Sequence, residues 1–194
     1  MPKTTVADRG SRVRGTLYHS PLRRAAGDEL LPLNLLHDRH PEIYRQHRRR
    51  YDGREWVLDQ RVPPLNCTWG DVVFFSPVDS TLIFEALHES GRTTGIPDSW
   101  TMDAGLLDPA STCIRLMRMS RTGPEAEPAD ADDFLPYTTG TLRAVSRVTH
   151  AALERLRQLG PDEPLLPWVD VPHVLHRGPV PLRHLRRPDG SATD

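Results

Sequence analysis

Arg45, Arg48, Arg49, Arg50 and Arg54 fall within ten residues, with Tyr44, Tyr51 and Trp56 between and beside them. Arginine presents a planar fork of N–H donors that fits phosphate oxygens in pairs, and aromatic rings stack on bases. Together they suggest a clamp for a nucleotide or a single nucleic-acid strand; a solvated helix face would carry the same residue types. Among the nine histidines, His37, His40 and His47 lie within eleven residues, but Pro41 separates the loop pair from the helix. His173 and His176 flank Val174-Leu175, and strand residues three apart point to opposite faces. HExxH and CxxC are absent, so no metal site is expected. The lack of G-x-S-x-G, P-loop and G-x-G-x-x-G patterns leaves hydrolase, kinase-type and Rossmann readings without support. Cys67, two residues before Trp69, would be a nucleophile if a nearby cation lowered its pKa, and a small core residue otherwise.

Residues 66–87 organise the elements that must position these groups. Val72-Val73-Phe74-Phe75 is the most apolar run, β-branched and aromatic, and reads as a buried central strand. Gly70-Asp71 opens it and Ser76-Pro77 closes it. A helix should follow, capped by Asp79 or Ser80 and stopped at Gly91. Upstream, Gly15-Thr16-Leu17-Tyr18-His19-Ser20-Pro21 reads as a first short strand ending in a turn, and Pro41 starts a helix over 41–51. Downstream, 100–107 is irregular or briefly helical. Residues 112–119 alternate as a strand, with Ile114 and Leu116 facing one way and Arg115 the other. Helical spacing over 139–159 predicts one long helix ended by Gly160-Pro161. Short elements at 169–176 and 180–187 close the chain. Strands near both ends with helices between predict an α+β fold: one domain over 16–187, with a central mixed or antiparallel sheet and flanking helices. Residues 1–15 read as a flexible tail, 121–133 as a flexible acidic loop, and 188–194 as a disordered tail.

Bulk composition narrows the classes of function. A chain of 194 residues with 37% hydrophobic and 26% charged residues has enough material for one core. A net charge of −1 gives no global pull towards nucleic acid or membrane, so any attraction must be local. Lys3 is the only lysine, which weakens the significance of arginine clusters in general. Two cysteines make no disulfide framework, and no apolar run approaches membrane length, so a reduced, cytoplasmic protein is expected.

Three segments in order carry a resemblance. Leu17-Tyr18-His19-Ser20 is similar to the hydrophobic-Tyr-His strand that opens many ADP-ribosyltransferases. Gly70 to Pro77 resembles a segment of the DarT-like DNA ADP-ribosyltransferases, and Pro172 to Leu182 resembles their later strand and turn. The resemblance implies an NAD-binding transferase in which His19 hydrogen-bonds the cofactor ribose and Arg50 or Arg54 helps bind NAD. Tyr18, Phe75 and Ser76 would complete the cofactor pocket. It also departs from the family. The catalytic Glu aligns with His173, Asp170 is the nearest acid, and Val78 replaces an expected Arg.

The leading expectation is therefore a small α+β enzyme holding NAD or a nucleotide-like ligand and acting at a ribosyl centre, with His19 orienting the ligand and Asp170 or His173 as base. One alternative is a cytoplasmic enzyme of specialised metabolism that uses His19, Cys67, Asp71 and His173 without NAD. The other is a non-catalytic binding module that kept the fold.

Overall fold

A computed structural model describes residues 12–21, 26–93, 95, 98–117, 130–163 and 165–193. Its strands are β1 (Thr16–His19), β2 (Glu29–Leu30), β3 (Arg61–Val62), β4 (Cys67–Thr68), β5 (Val72–Phe75), β6 (Trp100–Asp103), β7 (Thr112–Arg115), β8 (Phe134–Pro136), β9 (His173–Arg177) and β10 (Val180–Pro181). Its helices are α1 (Leu33–Arg39), α2 (Pro41–Arg48), α3 (Thr81–Glu89), α4 (Thr139–Ala144) and α5 (His150–Arg157). The fold is α+β, with small antiparallel sheets and flanking helices.

The main sheet has the order β5-β9-β7-β8, antiparallel throughout. The apolar run of β5 is buried as expected, yet it ends this sheet rather than centring it. Its free edge is shielded. Tyr18 and Ser76 exchange both backbone hydrogen bonds at 2.8 Å, so β1 continues beyond the end of β5, and leucines of and before α1, with Ile43 of α2, stand near Val72 and Val73. Such covering is how an apolar edge avoids pairing with another chain. β9 sits inside the sheet because both its edges find partners.

Register sets two faces. Phe75, Val174, Ile114 and Leu135 lie opposite one another across the four strands, as do Phe74, Leu175 and Cys113. The first row joins Leu17, Met102, Leu142, Leu182 and Leu185 in the largest core cluster. The second joins Val62, Leu65, Cys67 and Trp69. A third cluster packs Ile83 and Leu87 of α3 against Leu156 of α5.

Other expectations are corrected by local chemistry. The long helix over 139–159 is two helices. Thr138 accepts from Thr141 N to start α4, Ser146 donates back to Arg143 O, and Thr149 accepts from Ala152 N to start α5. Hydroxyl side chains compete with the helical ladder in this way. Residues 100–103 form a strand instead of irregular chain, because β6 pairs with β1 from Thr16↔Asp103 to His19↔Trp100. The α2 helix ends at Arg48 and tightens into a 3-10 turn over Arg49–Tyr51. The helix after β5 starts where Asp79 accepts from Thr81 N, and it stops at Gly91, whose φ is 74°. Of the expected tails and acidic loop, 1–11, 121–129 and 194 lie outside the described residues. Val13 and Thr193 are buried, and Asp130 and Asp133 close a capping box around a 3-10 turn.

Candidate functional site

A cavity of about 650 Å³ opens where the C-terminal ends of β5 and β7 meet the start of β9. β1 supplies Tyr18 and His19, and β5 with its following turn supplies Phe74, Phe75 and Ser76. The chain after α2 supplies Arg50, Tyr51, Arg54, Trp56 and Gln60. β7 and β9 supply Arg115 and His173, and the segment before β9 supplies Leu165, Pro167 and Trp168. Of the residues singled out from sequence, Tyr18, His19, Arg50, Arg54, Phe75, Ser76 and His173 all line this one cavity, and Asp170 does not.

Both histidines are chemically defined. His19 Nδ1 lies 2.5 Å from the Ser20 carbonyl and His173 Nδ1 lies 2.9 Å from the Val171 carbonyl. A carbonyl oxygen can only accept, so in each ring Nδ1 carries the proton and Nε2 is left as an acceptor. Burial takes both pKa values down to about 4; for His19 the positive charge of Arg50 acts in the same direction, and for His173 that of Arg115. Both rings are therefore neutral at neutral pH. A group of such low basicity falls short of the near-neutral pKa that a general base needs, so the base role expected of His173 lacks that support.

The walls are aromatic. The Trp69 and Phe74 rings lie 4.6 Å apart by centroid, His173 stands 6.4 Å from Phe74 and 6.2 Å from Trp168, and His19 meets Phe75 edge-on at 5.6 Å. The cations sit at two depths. Arg50 and Arg54 are exposed at the rim, where Arg54 donates to the Arg50 carbonyl at 3.0 Å. Arg115 is 3% exposed, and its guanidinium lies 4.5 Å from the centre of the Trp69 ring. Among the described residues no Asp or Glu lines the cavity.

Asp170 is placed elsewhere for a structural reason. Its φ of 64° turns the chain ahead of β9, its backbone N–H donates to Met117 O at 2.9 Å, and its carboxylate stands 3.3 Å from Arg155 Nε. Arg155 also donates to Val169 O at 2.8 Å. Arg155 thus ties Asp170 and Val169 to α5, and Asp170 does not line the cavity.

The groups of the alternative small-molecule site are also occupied structurally. Burial works against ionisation of Asp71, but hydrogen bonds from Thr68 and Asn34 outweigh it and hold the carboxyl below its ordinary value. Burial, with Asp71 nearby, pushes the Cys67 thiol up, the opposite of nucleophilic activation. Among the described residues no cluster of three His, Cys, Asp or Glu stands close enough to hold a metal, and no helix is long and apolar enough to cross a membrane.

Sequence reading missed Arg115 as a site residue. It faces opposite to Ile114 as expected, but towards the cavity and not towards solvent. The available signal was the stripe Cys113-Arg115-Met117, in which the residues two places either side of the arginine are apolar. Trp69, Trp168 and Gln60 carried no comparable mark. Comparison of the chain with protein-family models, curated proteins and solved structures gives no match.

Proposed function

We propose that this cavity is the binding site of a nucleotide-like ligand, with NAD as the leading candidate, and that the protein is an ADP-ribosyltransferase-like enzyme acting at a ribosyl centre. The observation that carries the reading is that Tyr18, His19, Arg50, Arg54, Phe75, Ser76 and His173, drawn from distant parts of the chain, line one cavity. The chemistry of the lining supports it. Neutral Nε2 acceptors on His19 and His173 suit ribose hydroxyl donors, exposed guanidinium groups suit phosphate oxygens, and aromatic walls suit a base or a nicotinamide ring. A volume of about 650 Å³ is in the range of small-molecule and cofactor sites. The two free thiols, Cys67 and Cys113, fit a cytoplasmic setting.

Calorimetry and thermal melts with NAD, NADH, ADP-ribose and common nucleotides test the reading. Binding is expected to raise the melting temperature by mass action. His19→Ala should weaken NAD binding while leaving a cooperative melt. Arg54→Ala should weaken it by about tenfold at low salt, less as salt screens the exposed rim. No binding at millimolar NAD would remove the transferase reading.

A second reading, a non-catalytic binding module, is favoured by one observation: no carboxylate lines the cavity among the described residues. NAD binding without release of nicotinamide would select it. Nicotinamide release that His19→Ala abolishes would select the enzyme.

A further inference from the structure

Arg115 is a buried cation on the cavity wall. It is 3% exposed, and its guanidinium lies 4.5 Å from the centre of the Trp69 ring and 6.0 Å from that of Phe134. Its Nε is buried with no hydrogen-bond partner. The strand register places it directly opposite His173, which contributes a neutral ring and no negative charge. Asp133 is the acid whose charge acts on it, and that carboxylate accepts from the Asp130 backbone N–H in its own turn. Desolvating a cation without giving its N–H groups acceptors costs several kcal/mol in general. The cavity is the open side of this environment, and Gln60 Oε1 on its wall is another buried polar atom without a partner.

We propose that Arg115 is the anion anchor at the floor of the cavity, holding a compact terminal anion of the ligand, a phosphate or a carboxylate, beside His173. This inference rests on the reading of the cavity as a ligand site and says which end of the ligand enters first. Arginine grips either anion through paired N–H donors. The gradient along the cavity fits the same direction of entry. Two of the exposed large apolar side chains, Trp56 at 46% and Leu165 at 46%, stand on its lining, whereas Arg115 is almost fully enclosed. An anion-first ligand would seat its charge on Arg115 and leave its ring system against Trp56 and Leu165.

The test compares ligand pairs that differ only in the anion: AMP with adenosine, and nicotinate with nicotinamide, each titrated against wild type, Arg115→Met and Arg115→Lys, with NAD alongside. In wild type the anionic member of at least one pair should bind about tenfold or more tightly than its neutral partner. That ratio should persist when salt is raised about tenfold, since a buried pair is poorly screened. Arg115→Met should bring the ratio close to one without changing the affinity of the neutral ligand. Arg115→Lys should give an intermediate ratio, because charge remains but the fork is lost. The pair that responds tells phosphate from carboxylate. Equal binding within both pairs, a ratio unchanged by Arg115→Met, or no binding by any probe at millimolar concentration overturns the anchor. NAD binding without any anion-dependent ratio would leave the nucleotide reading standing and remove the anchor; AMP binding through Arg115 with no NAD binding would keep the anchor and remove NAD as the ligand. Should Arg115→Met fail to fold, the wild-type pairs and Arg115→Lys decide the matter.

Discussion

The two faces of the main sheet are built from alternating residues of the same strands, yet they are finished differently. On one face Val73, Phe75, Ile114 and Val174 meet the largest apolar cluster, and the polar side chains of His176 and Thr112 on that face are hydrogen-bonded. His176 Nδ1 bonds Thr112 Oγ1 at 2.9 Å, and Thr112 donates to Asp108 O at 2.7 Å. On the other face, Arg115 and His173 are the immediate neighbours of Ile114 and Val174, and they line a cavity in which Arg115 Nε and Gln60 Oε1 lack partners. Proteins pair nearly all buried polar groups. The difference lies at the Arg115 end of the second face, since Val62, Leu65, Cys67 and Trp69 cover the rest of it.

The largest effect should come from the sealed face. Ile114 is 0% exposed within the main core. Ile114→Ala should destabilise the protein by about 2–5 kcal/mol, since a cavity is left in packed surroundings. Urea unfolding would measure it. A loss under about 1 kcal/mol would mean that this face is as loosely finished as the other, and the contrast between the faces would fall.

Acid should act next, through histidines of both faces. His19 and His173 have folded-state pKa values of about 4 against an ordinary 6.5, and burial also lowers His176. The unfolded chain therefore binds more protons than the folded one between these values, and stability rises with pH across that window. The stabilisation is complete above about pH 6.5 and is lost progressively as pH falls towards 4, by about 2 kcal/mol for each cavity ring once some allowance is made for water in an open cavity. His173→Gln should flatten the slope. A flat profile from pH 7 to 4.5 would place these rings in contact with bulk water and deny the cavity its sheltered character.

The tie from α5 to Asp170 and Val169 offers a smaller, more local perturbation. Arg155→Ala removes the ion pair to Asp170 and the bond to Val169 O. It should cost about 1–3 kcal/mol and loosen the wall that carries Trp168, so ligand affinity should fall together with stability. Normal affinity in a destabilised Arg155→Ala protein would show that the wall is positioned by its own packing.

What could be read from sequence divides along the same line as the faces. The run Val72 to Phe75, the first strand and the helix after β5 follow from apolar patterning and caps that act within a few residues, and those elements are present. His19, Arg54 and His173 line one cavity, and Asp170 does not. Its nearness to His173 in sequence says nothing about the left-handed turn that points it at Arg155. The place of β5 in the sheet and the break at 145–149 were hidden for other reasons. Which edges of a strand find partners is decided by distant segments. The hydroxyls of Ser146 and Thr149 interrupt a spacing that otherwise reads as unbroken. Arg115 was hardest, because a charged residue in an alternating strand is ordinarily the solvent side, and here both sides are covered.

The smallest expected change in stability is also the most telling, because it concerns the residue next to Ile114. Arg115→Met keeps an unbranched side chain of similar length and removes the charge. Two contributions oppose each other. The stacking of the guanidinium on Trp69 is lost, worth about 0.5–2 kcal/mol. The desolvation of a cation that lacks acceptors is relieved, and replacing buried charges by apolar groups is often neutral or stabilising by about 1–4 kcal/mol. The net change for the ligand-free protein should therefore lie within about 1 kcal/mol of zero, with stabilisation the expected sign. Its neighbour Ile114, one residue away and equally buried, should lose several times that amount on truncation. Urea denaturation of both variants without ligand makes the comparison direct. If Arg115→Met proved as damaging as Ile114→Ala, the guanidinium would be a structural element of the core, and the second face would be sealed in its own way. A neutral or stabilised Arg115→Met protein would mean that the fold carries this charge at a disadvantage, and the reason for its presence must then be sought in what the cavity binds.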